Sequence, residues 1–136
     1  MSRRLVVDAA ALVELLLATR LAPRVAAEVA VAGAELHVPA LCDVEVAAAL
    51  RRALARGRLD DERALLALQD LADLPLVRHG HQSLLGRVLA LRHNLSAYDA
   101  TYAALAERLD ATLVTADGGL ANAARDHLRL HVAAIV

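Results

Sequence analysis

Apolar residues along this chain fall into short unbroken runs that alternate with longer stretches where they recur every third or fourth position. Arg4-Leu5-Val6-Val7-Asp8 is a brief β-branched run ending on a charge, the pattern of a buried parallel strand. From Ala9 the pattern turns helical, with Leu12, Leu15, Leu16 and Thr19 on one face. Pro23 suits the first turn of a second helix, and Gly33 a helix stop. Glu35 to Val38 predicts a second strand closed by Pro39, and an alanine-rich helix runs on to Arg56, where Gly57 breaks it. Asp60 is a predicted amino-terminal cap, with Asp61 and Glu62 in a first turn that favours acids. That helix carries Leu65, Leu66, Leu68, Leu71 and Ala72 and ends before Pro75. Leu76-Val77-Arg78 predicts an edge strand, followed by helices at Ser83 to Arg92 and Ser96 to Leu109. A strand at Thr112 to Thr115, a small helix at Leu120 to Asp126 and a strand at Leu130 to Ala133 complete the series.

Strand and helix alternate from end to end. The predicted fold is α/β, a three-layer α/β/α sandwich with a mostly parallel central sheet. In such sheets the ligand site lies beyond the carboxyl ends of the strands.

The length of 136 residues fits a single domain over residues 1–136, with neither linker nor repeat. Apolar stretches are interrupted by Asp8, Glu14, Arg20, Glu28 and Glu35, so none approaches the roughly 18 residues a membrane span needs. Asp8 and Glu14 also interrupt the apolar core of any signal peptide behind Arg3 and Arg4. The single cysteine, Cys42, cannot close an intrachain disulfide and reads as a small buried hydrophobe. A reducing, cytoplasmic setting is expected. The net charge of −1 offers no global field for nucleic acid, so any such binding must be local. Lysine is absent: all 15 basic residues are arginine.

The acids fall in a pattern. Asp8 ends the first strand and Asp117 follows the fourth. Glu45 lies in the first turns of the helix after the second strand, and Asp99 in the first turn of the helix before the fourth. All four project to one edge of an α/β sheet. Singly, each has an ordinary reading: Asp8 and Asp117 as strand-end or cap residues, Asp99 as the last member of a capping box begun by Ser96, Glu45 as a surface acid favoured by the helix dipole. Jointly they repel, with no lysine to neutralise them. A hard divalent cation among them resolves this. Magnesium suits, since it needs few carboxylates and leaves room for phosphate oxygens. Such a site activates water and steadies the leaving oxygen of an in-line displacement.

Val6-Val7-Asp8-Ala9-Ala10, Pro39-Ala40-Leu41 with Glu45-Val46-Ala47, Tyr98-Asp99-Ala100 with Leu105-Ala106-Glu107, and Thr115-Ala116-Asp117 occur in this order. Together they resemble the PIN-domain family, specifically the VapC-type toxins of bacterial toxin–antitoxin pairs, over essentially the whole chain. The resemblance implies a magnesium-dependent endoribonuclease, with manganese as a substitute ion. Asp8, Glu45, Asp99 and Asp117 would be its acidic catalytic and metal-site residues, and Thr115 a supporting hydroxyl. It also implies RNA as substrate, a homodimer and a cognate antitoxin. One departure stands out: the family usually carries serine or threonine two positions after the first aspartate, where this chain has Ala10.

Receiver domains and haloacid-dehalogenase-like phosphatases resemble this architecture but use a lysine, which this chain lacks. An inactive module that binds RNA or a protein partner is the alternative of another class, separated by metal-dependent cleavage. A DNA-directed nuclease of the same family also stays open. Asp43 differs from Glu45 by about 200° in direction on a helix, so only one faces the cluster. Glu45 is preferred because Ala48, Ala49 and Arg52 share its face. His79-Gly80-His81 reads as a solvated loop rather than a transition-metal site. Arg51, Arg52, Arg56 and Arg58 form the one basic concentration, either a solvated helix face or a contact for phosphate or an acidic partner.

Overall fold

In the computed structural model, which describes residues 3–136, the described residues form five strands and seven α-helices. β1 (Arg3–Val7) leads into α1 (Ala9–Leu16) and α2 (Ala22–Val29), then β2 (Ala34–Pro39) into α3 (Leu41–Ala55) and α4 (Asp61–Asp73). β3 (Leu76–His79) is followed by a single 3-10 turn, α5 (Leu85–Ala90) and α6 (Ala97–Leu109). β4 (Thr112–Thr115), α7 (Gly118–Leu128) and β5 (Val132–Ala134) close the chain.

The sheet order is β3-β2-β1-β4-β5, and every neighbouring pair is parallel. Leu5, Val6 and Val7 are wholly buried on successive positions of β1, so both faces of the sheet are covered. This requirement explains the unbroken apolar run. On one face α6 packs against β1, β2 and β4. Its residues Ala100 to Ala106 are all buried, which explains why its sequence shows little amphipathic contrast. The other layer holds α1, which packs on β4, α2 and α3.

From β1 the chain winds outward to β2 and β3, then returns to place β4 on the other side of β1. The order therefore reverses between β1 and β4, and side chains just past these two strands face an open crevice.

Several boundaries differ from expectation, each for a local reason. α2 stops at Val29 rather than running to Gly33, because the Gly33 carbonyl accepts from the Arg3 N–H at 3.0 Å to begin the pairing of β1 with β2. Gly33 takes a positive φ of 79° there, which glycine adopts without strain. The helix expected over Ser83 to Arg92 is shortened, since the Ser83 hydroxyl accepts from Arg108 at 2.6 Å instead of capping it. α7 begins two residues earlier than expected because Asp117 caps it. β5 begins at Val132 because Arg129, in the left-handed region, and Leu130, bonded back to Ala124, finish α7.

Candidate active site

A cleft of about 380 Å³ opens where the strand order reverses. Asp8, Glu45, Asp99 and Asp117 all line it, beside Ala10, Glu14, Arg52 and Tyr102. The four acids arrive from four separate elements: the end of β1, α3, α6 and the loop after β4.

Asp8 is the most deeply set. One carboxylate oxygen caps α1 by accepting from the Ala11 N–H at 2.8 Å, while the other accepts from the Thr115 hydroxyl. Burial pushes its pKa from the ordinary 3.8 up to about 6, against hydrogen bonds from Thr115, Ala11 and Ala116 and with a further push from Asp117. Thr115 Oγ1 in turn accepts from the Asp117 N–H at 2.9 Å, so one hydroxyl orders both acids across the crevice. Asp117 caps α7 through the Leu120 N–H at 3.0 Å and is otherwise exposed. A Cβ at Gly119 would stand 3.3 Å from Asp117 Oδ1, so glycine leaves that carboxylate uncrowded. The cap reading of Asp8 and Asp117 holds, and capping does not keep either acid off the cleft that both line.

Asp99 sits in the first turn of α6, where Ser96 does the capping by accepting from the Asp99 N–H at 3.1 Å. Its pKa is raised by burial, then by the charges of Asp117 and Glu45, with Ser96 opposing. Asp99 thus stands within electrostatic reach of both Asp117 and Glu45. Glu45 accepts a hydrogen bond from the Tyr102 hydroxyl at 2.6 Å. Burial, then the neighbouring Cys42 and Glu45, pushes the Tyr102 phenol well above its ordinary range, so it acts as a fixed donor.

Among the described residues, no three acids, imidazoles or thiols converge tightly enough to enclose an ion by themselves. The donor set nevertheless fits a hard cation that retains water. Its donors are all oxygens, they repel one another, and their spread leaves space for further oxygen ligands. Asp8 and Asp99 would hold such an ion, flanked by Glu45 and Asp117.

Asp43 lies apart, in a two-pronged ion pair with Arg78 at 2.8 and 3.0 Å. His79 is not on a solvated loop. β3 extends one residue further than expected, pairing Pro39 with His79, and the His79 carbonyl accepts from the Ala40 N–H at 2.7 Å. Its Nε2 meets Nδ1 of buried His37 at 2.9 Å, and His37 Nε2 meets Glu35 at 3.3 Å. Burial and His37 lower the His79 pKa. Cys42 is fully buried in α3, where burial pushes its thiol up to about 11. Sequence reasoning missed Tyr102 and Glu14 as cleft residues. Tyr102 had a signal in its position three residues after Asp99, on the same helix face. Glu14 had none.

A family model for the PIN domain matches residues 5–126. Ribonuclease VapC9 of Mycobacterium tuberculosis is 47% identical over 87 residues, 64% of this chain and 68% of that protein. Ribonuclease VapC12 of the same organism is 38% identical over 117 residues, 86% of this chain and 89% of that protein. Among solved structures, PAE2754 from Pyrobaculum aerophilum superposes with a TM-score of 0.67 at 27% identity, covering 89% of this chain and 79% of that one. VapBC2 from Rickettsia felis, bound to a DNA fragment from its promoter, superposes with a TM-score of 0.70 over 98% of this chain and 99% of that one. At 12% identity this last likeness speaks for the fold alone. With its strand order, its acid-lined crevice and a match across nearly its whole length, the chain belongs to the PIN-domain family, in its VapC-type group.

Proposed function

We propose that the cleft is the active site of a magnesium-dependent endoribonuclease, the toxin of a toxin–antitoxin pair. The observation that carries this reading is the meeting of Asp8, Glu45, Asp99 and Asp117 on one cleft in a chain without lysine. The ribonuclease names of its relatives supply the substrate class.

A bound magnesium ion would supply water activation and neutralise charge on the phosphodiester. The chain's own residues prepare the place. Thr115 fixes one oxygen of the Asp8 carboxylate, and Tyr102 fixes Glu45 on the cleft wall. Water attacks phosphorus, the bond to the 3′ oxygen breaks, and that oxygen takes a proton, leaving 5′-phosphate and 3′-hydroxyl ends. Manganese substitutes because it accepts the same oxygen donors.

The partner reading rests on exposed leucines. Leu65 and Leu68 of α4 are exposed along a groove they share with Leu50 and Leu54 of α3, and Leu66 is exposed outside it. Such a stripe suits an amphipathic helix of an antitoxin or a second copy of the chain. An antitoxin arginine would compete with the ion by gripping carboxylates two-pronged. No helix among the described residues is long and apolar enough to cross a membrane.

The test is cleavage of single-stranded RNA by the purified chain in magnesium and in excess EDTA. Cleavage should stop in EDTA and in Asp99→Asn. Equal cutting with and without EDTA would overturn the mechanism. Co-purification with the product of the neighbouring gene, followed by measurement of complex mass, tests the partner.

A further inference from the structure

The acidic cleft does not end at its acids. Val13 and Glu14 of α1 line it, and the same two residues line a second cleft of about 520 Å³. The two therefore adjoin at Val13 and Glu14 and follow one another as a groove along α1, facing α3 and the segment after it. Arg52 stands on the wall of the first part, and Arg58 on the wall of the second. Arg52 lies seven residues after Glu45, about 10 Å further along the α3 axis.

The walls differ in chemistry. Arg52 and Arg58 are exposed, and among the described residues neither forms an ion pair with a carboxylate. Arg63, also on the second cleft, is committed elsewhere, since it donates to the Leu16 carbonyl at 2.6 Å. The α1 wall offers apolar Val13 and Leu17. It also carries Glu14, held by the Thr19 hydroxyl, whose charge turns phosphate toward the opposite wall. Ala53 and Leu59 lie on the arginine side, so the cations there are spaced along a largely apolar groove, which fits a single nucleic-acid strand whose phosphates meet Arg52 and Arg58.

Resting on the ribonuclease reading, we propose that the RNA strand leaves the acidic cleft along this groove. The phosphates flanking the scissile bond on that side are neutralised by Arg52 and then Arg58. An acidic segment of a protein partner is the competing occupant.

The experiment titrates a fluorescein-labelled single-stranded RNA, longer than the groove, into the parent, Arg52→Ala, Arg58→Ala, Arg58→Lys and Arg125→Ala. Working in EDTA allows binding to be read without cleavage. The slope of log affinity against log salt should become shallower by about 0.7 for each of the two groove arginines removed. Arg58→Lys should restore the slope, and Arg125→Ala, which removes the same charge from α7, should leave it unaltered. Equal shifts in all three alanine variants would reduce the effect to net charge and overturn the proposal. Unaltered slopes at Arg52 and Arg58, or a parent that binds no RNA, would also overturn it. So would variants that bind RNA normally but lose affinity for the purified product of the neighbouring gene. A parent that binds RNA with these slopes yet cuts none in magnesium would fail the ribonuclease reading alone.

Discussion

The Tyr102 hydroxyl on α6 donates to Glu45 Oε1 on α3 at 2.6 Å, so the helices on two sides of the cleft share one hydrogen bond. Tyr102→Phe removes the donor while keeping the ring. Chemical denaturation should show a loss of about 1.5–3 kcal/mol, the usual net worth of a hydrogen bond to a charged group. RNA cleavage should also fall, by about tenfold in kcat with little change in KM, because Glu45 loses its orientation. Parent-like kcat would show that Glu45 needs no such support.

Burial pushes the Asp8 carboxyl in the fold up to about 6 from the ordinary 3.8. The folded state therefore holds its proton longer, and stability without metal should fall as pH rises from about 4 to about 6. The decline is on the order of 3 kcal/mol at most. In Asp8→Asn, the side-chain oxygen keeps the cap to Ala11 while the burial cost of a charge disappears. Denaturation in EDTA across this pH range should show a flatter profile for the variant and a more stable fold at pH above 7. A variant less stable than the parent throughout would mean that the hydrogen bonds of Asp8 outweigh its burial.

Asp99 is held in its raised state by burial, then by Asp117 and Glu45. Asp99→Asn should melt at a higher temperature than the parent in EDTA. Added magnesium should raise the melting temperature of the parent in proportion to the logarithm of its concentration, and that of the variant much less. A less stable variant in EDTA would point to a structural role for Asp99 in starting α6.

Ala10 is exposed on the cleft floor, two residues beyond Asp8. Serine there should preserve the melting temperature and raise cleavage on the order of tenfold, the low end for groups that orient a metal site. Unaltered or reduced steady-state cleavage would show that Thr115 already supplies the hydroxyl this site uses.

Lowered by burial and by His37, His79 stays neutral in the fold at a pH where the unfolded chain is protonated. Stability should therefore drop as pH falls below about 6.5, the ordinary histidine value. His79→Gln keeps a donor for His37 and should remove that drop. The comparison is cleanest in an Asp8→Asn background, where the opposing slope is absent. An identical acid limb with and without the substitution would assign the drop to other groups.

Much of this molecule is legible in its residues. The run Leu5-Val6-Val7 announces a strand covered on both faces, because only continuous apolar side chains tolerate that burial. Thr112 to Thr115 is equally plain. The ends of α2 and β5 were hidden, since they depend on which backbone carbonyls the sheet and the α7 terminus claim from afar. His79 was hidden for the same reason: its burial follows from pairing with β2, which nothing near Gly80 announces. For the cleft, the acids could be placed by counting along strands and helices. Tyr102 as the partner of Glu45 could not, because the two residues are 57 positions apart and meet only through tertiary packing.

Cys42 is the chain's sole thiol, fully enclosed and held in its protonated form. Alkylating reagents require a thiolate within reach, and the native packing denies them both. Any labelling of Cys42 must pass through an opening of α3 away from its neighbours. The protein thus carries a built-in clock for its own breathing, and the modification rate, compared with that of the unfolded chain, reads the free energy of that opening. Whatever closes the cleft, ion, RNA strand or partner helix, should slow that clock without any label having been engineered in.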